Sequence, residues 1–144
     1  MATAHDVAAY ILHKMGEMTA MKLQKLVYYS QAWSLVWDER PIFRDRIEAW
    51  ANGPVVPALY QEHKGQFKVR KWSHGDSDAL PQEAKDTVDA VLDFYGKKSS
   101  QWLSDLTHSE TPWQAARGRL APGERGTKVI STGSMHEYYS GLSG

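Results

Sequence analysis

The chain of 144 residues contains no cysteine, which removes disulfide frameworks, thiolate zinc sites and thiol nucleophiles together. It has no surplus of either charge, because 17 Lys and Arg stand against 17 Asp and Glu. No global field therefore gathers DNA, RNA or an anionic membrane surface, and a nucleic-acid role would need a local patch. No run approaches the roughly 20 apolar residues of a membrane span. The opening residues MATAHDVAAYILHK carry His5 and Asp6 where a secretory leader carries basic side chains. These absences predict a soluble, unprocessed protein of the cytoplasm.

Catalytic and cofactor motifs are missing as well. Neither GxxxxGK[ST] nor GxGxxG occurs, and APGERGTK resembles the first only in composition. The six histidines (His5, His13, His63, His74, His108 and His136) include no pair at i, i+4 and no HExxH, so neither a metal site nor a cofactor is expected. Asp105 and His108 are three apart in a predicted helix and, with a serine, would suit a small hydrolase. No G-x-S-x-G elbow accompanies them, and an ordinary pair on a helix surface explains the spacing equally well. A nucleic-acid-associated regulator would need Lys22, Lys25, Arg44, Arg46 and Arg70 on one face free of acids, whereas Asp and Glu are interspersed among them.

What the chain does have is aromatic weight, with six Trp and seven Tyr, residues that serve cores and protein interfaces alike. Much of it lies in AMKLQKLVYYSQAWSLVW, where Leu23, Leu26, Val27, Ser30, Trp33, Ser34 and Trp37 recur in steps of three and four. More aromatic bulk flanks that stripe than one face can bury, so a central helix over about 19–38 is expected, covered on several sides. Within it Leu23, Leu26, Val27, Trp33 and Trp37 are expected in the core, and Lys25, Tyr29 and the later Trp50 on an exposed or half-exposed rim. Thr19 is its expected N-cap, and Asp38, Glu39, Arg40 and Pro41 its end.

Around this helix the pattern predicts an all-helical cover with a small β element. Thr3 and Asp6 have capping-box spacing ahead of a first helix that stops at Gly16. Alternation predicts a strand over about 47–51, pairing antiparallel with 128–131. Asn52, Gly53 and Pro54 predict a turn that starts a helix containing Val56, Leu59, Tyr60 and His63. Alternation over 67–72 suggests a weak strand. A clear amphipathic helix follows Pro81 and ends at Gly96, a helix capped by Ser99 or Ser100 runs to about Ser109, and Thr111, Pro112 and Gln114 predict the cap of a short helix. A Gly- and Pro-rich loop over 120–128 and a last helix over 133–139, with Met135 and Tyr138 or Tyr139 inward, complete the chain. A chain of this size buries roughly 68–70% of its unfolded surface, and no linker divides it. The expected architecture is one mainly α domain over 1–144, a compact helical bundle.

MKLQKLVYYSQAW, then PIF with IEAWANGPVVPALY, then LSDLTHSETPW, and finally KVIS with MHEYY occur in an order that resembles the Panacea-domain (SocA-like) antitoxin family. The resemblance spans nearly the whole chain. It implies a non-enzymatic antitoxin of a bacterial or prophage toxin–antitoxin pair, neutralising a cognate toxin encoded beside it by direct protein–protein binding, with delivery of that toxin to an ATP-dependent protease as the alternative. Transferred to matching positions, it points to Trp50, Tyr60, His108 and Trp113 as toxin-binding and to Gly53, Pro54 and Pro112 as structural turn residues, and the expected rim residues Lys25 and Tyr29 join the toxin-binding candidates. Aromatic anchors in a groove beside GPVVPALY suit such docking physically.

Overall fold

The computed structural model describes residues 1–143. Helix α1 (Ala4–Met15) opens with the expected capping box: the Thr3 hydroxyl accepts from the Asp6 N–H while the Asp6 carboxylate accepts from the Thr3 N–H, and Gly16 ends the helix in a positive-φ conformation. Strand β1 (Met18–Thr19) is brief. Helix α2 (Ala20–Trp37) follows, with the Thr19 hydroxyl accepting from the Lys22 N–H. Its C-terminal end is held from outside the helix, because Ser34 Oγ donates to the Arg40 carbonyl at 2.7 Å and Thr87 Oγ1 donates to Asp38 at 2.6 Å.

Every residue from Leu23 to Ala32 is buried, so α2 is covered on all sides rather than along one stripe. Helices α1, α4 (Gln82–Tyr95), α5 (Ser100–His108) and α7 (Thr132–Ser143) pack around it. The buried apolar residues form one contiguous core running from Ala4 through α2 to Tyr139. Met135 and Tyr139 face inward from α7 as expected, with Tyr138 partly buried beside them.

Complete burial of α2 corrects the division of its side chains. Lys25 and Tyr29, expected on a rim, are 1% and 0% exposed, whereas Trp37, expected in the core, is 49% exposed. The reason is the number of covering layers: a helix wrapped by four others has no solvent side until its last turn, where Trp37 only stacks on Trp33 at 4.9 Å. Trp33 is partly buried against the core and donates its Nε1–H to the Tyr95 hydroxyl at 3.0 Å.

The larger of two small β elements is a tight hairpin. Strand β2 (Glu48–Trp50) pairs antiparallel with β3 (Gly53–Val55), with Ala49 opposite Pro54. The expected pairing with 128–131 is present as a single bridge between Glu48 and Val129, supported by Ala49 N–H to the Lys128 carbonyl and Ile130 N–H to the Ile47 carbonyl, both 2.8 Å. Pro54 is a strand residue and not a helix start; helix α3 (Pro57–His63) begins later, with Pro57 in its first turn. The weak strand is the two-residue β4 (Lys68–Val69), paired with β1. Helix α6 (Thr111–Arg117) takes Glu110 as its N-cap residue in place of Thr111 and has no side-chain cap, because the Glu110 carboxylate is turned inward.

Two glutamines of α2 tie the irregular segments to the core. Gln31 accepts from the Ile42 N–H at 2.8 Å and donates to the Phe43 carbonyl at 2.8 Å. Gln24 repeats the arrangement one heptad earlier, accepting from the Val56 N–H at 2.8 Å and donating to its carbonyl at 3.2 Å. A primary amide offers a donor and an acceptor side by side, so it replaces a strand neighbour where none exists.

Candidate functional site

The hairpin β2–β3 projects beside α3 on one side and the α5–α6 corner on the other. Trp50, half-buried at the end of β2, donates its indole N–H to Glu48 at 2.9 Å and meets the Tyr60 ring of α3 edge-on at 4.8 Å. From the other side Trp113 of α6 donates its indole N–H to the Trp50 carbonyl at 2.8 Å, and the His108 ring stacks on Trp113 at 4.2 Å. Ser104 Oγ adds a bond to the Asn52 carbonyl at 2.7 Å. Two segments far apart in sequence, EAWANGPVVPALY and HSETPW, thereby become one surface. Four of the six expected binding residues, Trp50, Tyr60, His108 and Trp113, form an unbroken line across it.

This surface is concave. A cavity of about 470 Å³ is lined by Trp50, Asn52, Tyr60, Arg125 and their neighbours. A second, of about 410 Å³, lies over His108, Trp113 and Arg117 and shares Ala51 and Gly123 with the first. A third, of about 370 Å³, lies between Tyr60, His63 and Phe67 and shares Met21 and Tyr60 with the first. Phe67 is 77% exposed at its edge.

The remaining two expected residues lie beneath. Tyr29 donates its hydroxyl to Glu110 Oε1 at 2.7 Å, as does Tyr139, and it stacks flat on Tyr95 at 4.1 Å. It is an internal ligand of a buried carboxylate and touches no outer surface. Burial pushes the Glu110 carboxyl above its usual range, the two tyrosine hydroxyls opposing the shift. Lys25 lies under the hairpin, its Nζ without a hydrogen-bond partner, and burial pushes it down to about 7.

Gly53, expected as a structural turn residue, stands at the start of β3 opposite Trp50. Its φ is +122°, and an added Cβ would stand 2.6 Å from Lys25 Cε and 3.0 Å from Thr107 Oγ1. Only a residue without a side chain lets the hairpin close over the lysine. Pro112 is buried in the first turn of α6.

The Asp105 and His108 pair does not assemble. Asp105 accepts from Gln101 at 2.8 Å, and His108 Nε2 is buried without a hydrogen-bond partner, so no serine hydroxyl is poised on it. Burial lowers the His108 proton affinity, with the Lys25 charge adding to the effect. The basic face that a nucleic-acid regulator would need is likewise broken, since Lys25 is internal and Arg46 pairs with Glu48 at 2.7 Å. Among the described residues no cluster of His, Asp and Glu could hold a metal ion, and no helix is long and apolar enough to cross a membrane.

Sequence reasoning missed Arg117. It is buried, donates to the carbonyls of Ala49, Ala121 and Glu124, and lies over the Trp113 ring, fastening the 120–128 loop to the hairpin. Its only sequence signal is an arginine just before a helix-ending glycine, which is too common to single out.

The family described as "Antitoxin SocA-like, Panacea domain" matches residues 23–114, a stretch that runs from α2 through the hairpin to α6. The antitoxin SocA of Caulobacter vibrioides (strain NA1000 / CB15N) is 27% identical over 127 residues, covering 76% of this chain and 68% of that protein. No solved structure gives a significant match.

Proposed function

Because this chain belongs to the SocA-like, Panacea-domain antitoxin family, we propose that it is the antitoxin of a toxin–antitoxin pair and neutralises its toxin in the cytoplasm by binding it directly. The docking face is the concave surface around Trp50, Tyr60, His108 and Trp113. One observation carries this placement: Trp113 Nε1–H on the Trp50 carbonyl joins the hairpin to the α5–α6 corner, so that half-buried aromatics line adjoining cavities instead of filling the core. The two indoles, each held by its own hydrogen bond, and the rings stacked or edged against them have the character of interface anchors. The fixed geometry also means that little side-chain entropy is lost on binding.

The test is co-expression and co-purification with the product of the neighbouring gene, followed by calorimetric titration of the purified pair. Tyr60→Ala and Trp50→Phe each keep the hairpin's backbone bonds, and each should weaken the complex about tenfold or more while circular dichroism stays unchanged. Folded variants that bind and neutralise as the unmodified chain does would place the contact elsewhere. Loss of neutralisation only in cells that lack an ATP-dependent protease would favour delivery for proteolysis over blocking.

A further inference from the structure

Below the concave face lies a smaller cavity of about 150 Å³, lined by Met21, Lys25, Asn52, Ser100, Gln101 and Ser104. It shares Met21 and Asn52 with the large cavity beside Trp50, so it opens onto the same surface. Its volume is well below the roughly 300 Å³ at which small-molecule sites begin, and the end of one amino-acid side chain fills such a space.

Its chemistry is one-sided. Lys25 is 1% exposed and its Nζ has no hydrogen-bond partner. Burial alone accounts for its lowered proton affinity, with no carboxylate offsetting it. His63 and His108 lie close enough to feel the Lys25 charge. Ser100 and Gln101 form the first turn of α5, whose leading amide N–H groups have no partner within the helix and present its positive end. Gly53 packs against the lysine stem so closely that a Cβ there would overlap Cε. A buried cation with its donors unmet is strongly disfavoured unless an anion completes it.

We infer that this cavity receives the carboxylate of one aspartate or glutamate side chain of the toxin, with Lys25 as its ion-pair partner and the first turn of α5 supplying amide donors. The inference rests on the docking face proposed above and names the group that enters it. The carboxylate shields the ammonium, and the closed interface removes water from both, so the pair forms only in the complex.

Two measurements test it. In the full chain with isotope-labelled lysine, the titration midpoint of Lys25 followed by NMR should rise with sodium acetate and stay put with sodium chloride at equal ionic strength. Lys25→Met should then weaken binding of the neighbouring gene's product about tenfold or more without lowering the melting temperature. Exchanging the toxin's acids for amides one at a time should find one whose loss costs nothing further in the Lys25→Met background. Unchanged affinity of Lys25→Met overturns the inference whatever acetate does. If Tyr60→Ala still weakens binding in that case, the docking face stands, and if it does not, both readings fall. Should Lys25→Met not fold, the midpoint in the complex decides: a rise on binding supports the carboxylate, and an unmoved midpoint overturns it.

Discussion

Replacing Lys25 with methionine should stabilise the free protein, and the effect should vanish as pH rises. Burial pushes Lys25 from its ordinary 10.5 to about 7. Across that interval the folded chain binds fewer protons than the unfolded chain, so stability rises with pH, and the penalty is fully present below about 7. The interval spans about 3.5 pH units at about 1.4 kcal/mol each, a ceiling of about 5 kcal/mol. Local relaxation and water entry reduce such penalties, and about 2–4 kcal/mol is expected. Methionine keeps the length of the stem without the charge, so the variant should lack the slope. Urea unfolding between about pH 7 and pH 9 should show the unmodified chain gaining about 2 kcal/mol while Lys25→Met stays flat. His63 and His108, both lowered by burial, act below this window. Tyr29 and Tyr139, both raised, lose their contribution only above their unfolded value near 10. Parallel pH profiles for the two proteins would refute the picture of a neutral or uncompensated lysine under the hairpin.

Gly53→Ala should destabilise the fold by about 2–4 kcal/mol, combining a positive-φ strain with overlap on Lys25 Cε, as read from chemical denaturation. Gln24→Leu leaves the Val56 N–H buried and unpaired, while the Val56 carbonyl still accepts from the Leu59 and Tyr60 N–H groups, so a loss of about 1–3 kcal/mol with an unchanged denaturant slope is expected. Glu110, raised by burial, contributes stability that is present below its ordinary 4.5 and lost as pH rises through its folded value. Glu110→Gln keeps an oxygen to accept from Tyr29 and Tyr139 and should remove that loss, measured as the difference between the two proteins' unfolding free energies at about pH 4.5 and pH 7.

Much of the scaffold is legible in the sequence because it rests on local rules. Thr3 with Asp6, Thr19 before α2, Ser99 before α5 and glycines after α1, α4 and α6 mark helix ends by hydrogen bonds that span three or four residues. The line of Trp50, Tyr60, His108 and Trp113 is legible only as two separate aromatic segments. Their union depends on one indole N–H reaching a carbonyl 63 residues away, and no periodicity encodes such a contact. Pro54 misleads for a related reason: a proline after glycine suits a helix start locally, yet its position opposite Ala49 in the hairpin holds it in a strand.

The central helix marks the division most clearly. Composition and spacing determined that 19–38 is helical, aromatic and covered on several sides, since no single face accommodates so many rings. Which side chains meet water was decided by the other helices. Four of them surround α2 and the hairpin closes over Lys25, so Lys25 and Tyr29 are internal despite polar ends, and Trp37 emerges despite being apolar. Burial is a property of what packs against a residue, and only the tertiary arrangement supplies it; a lysine that the sequence places on a helix flank becomes, under Gly53, an unpaired cation at the floor of a cavity.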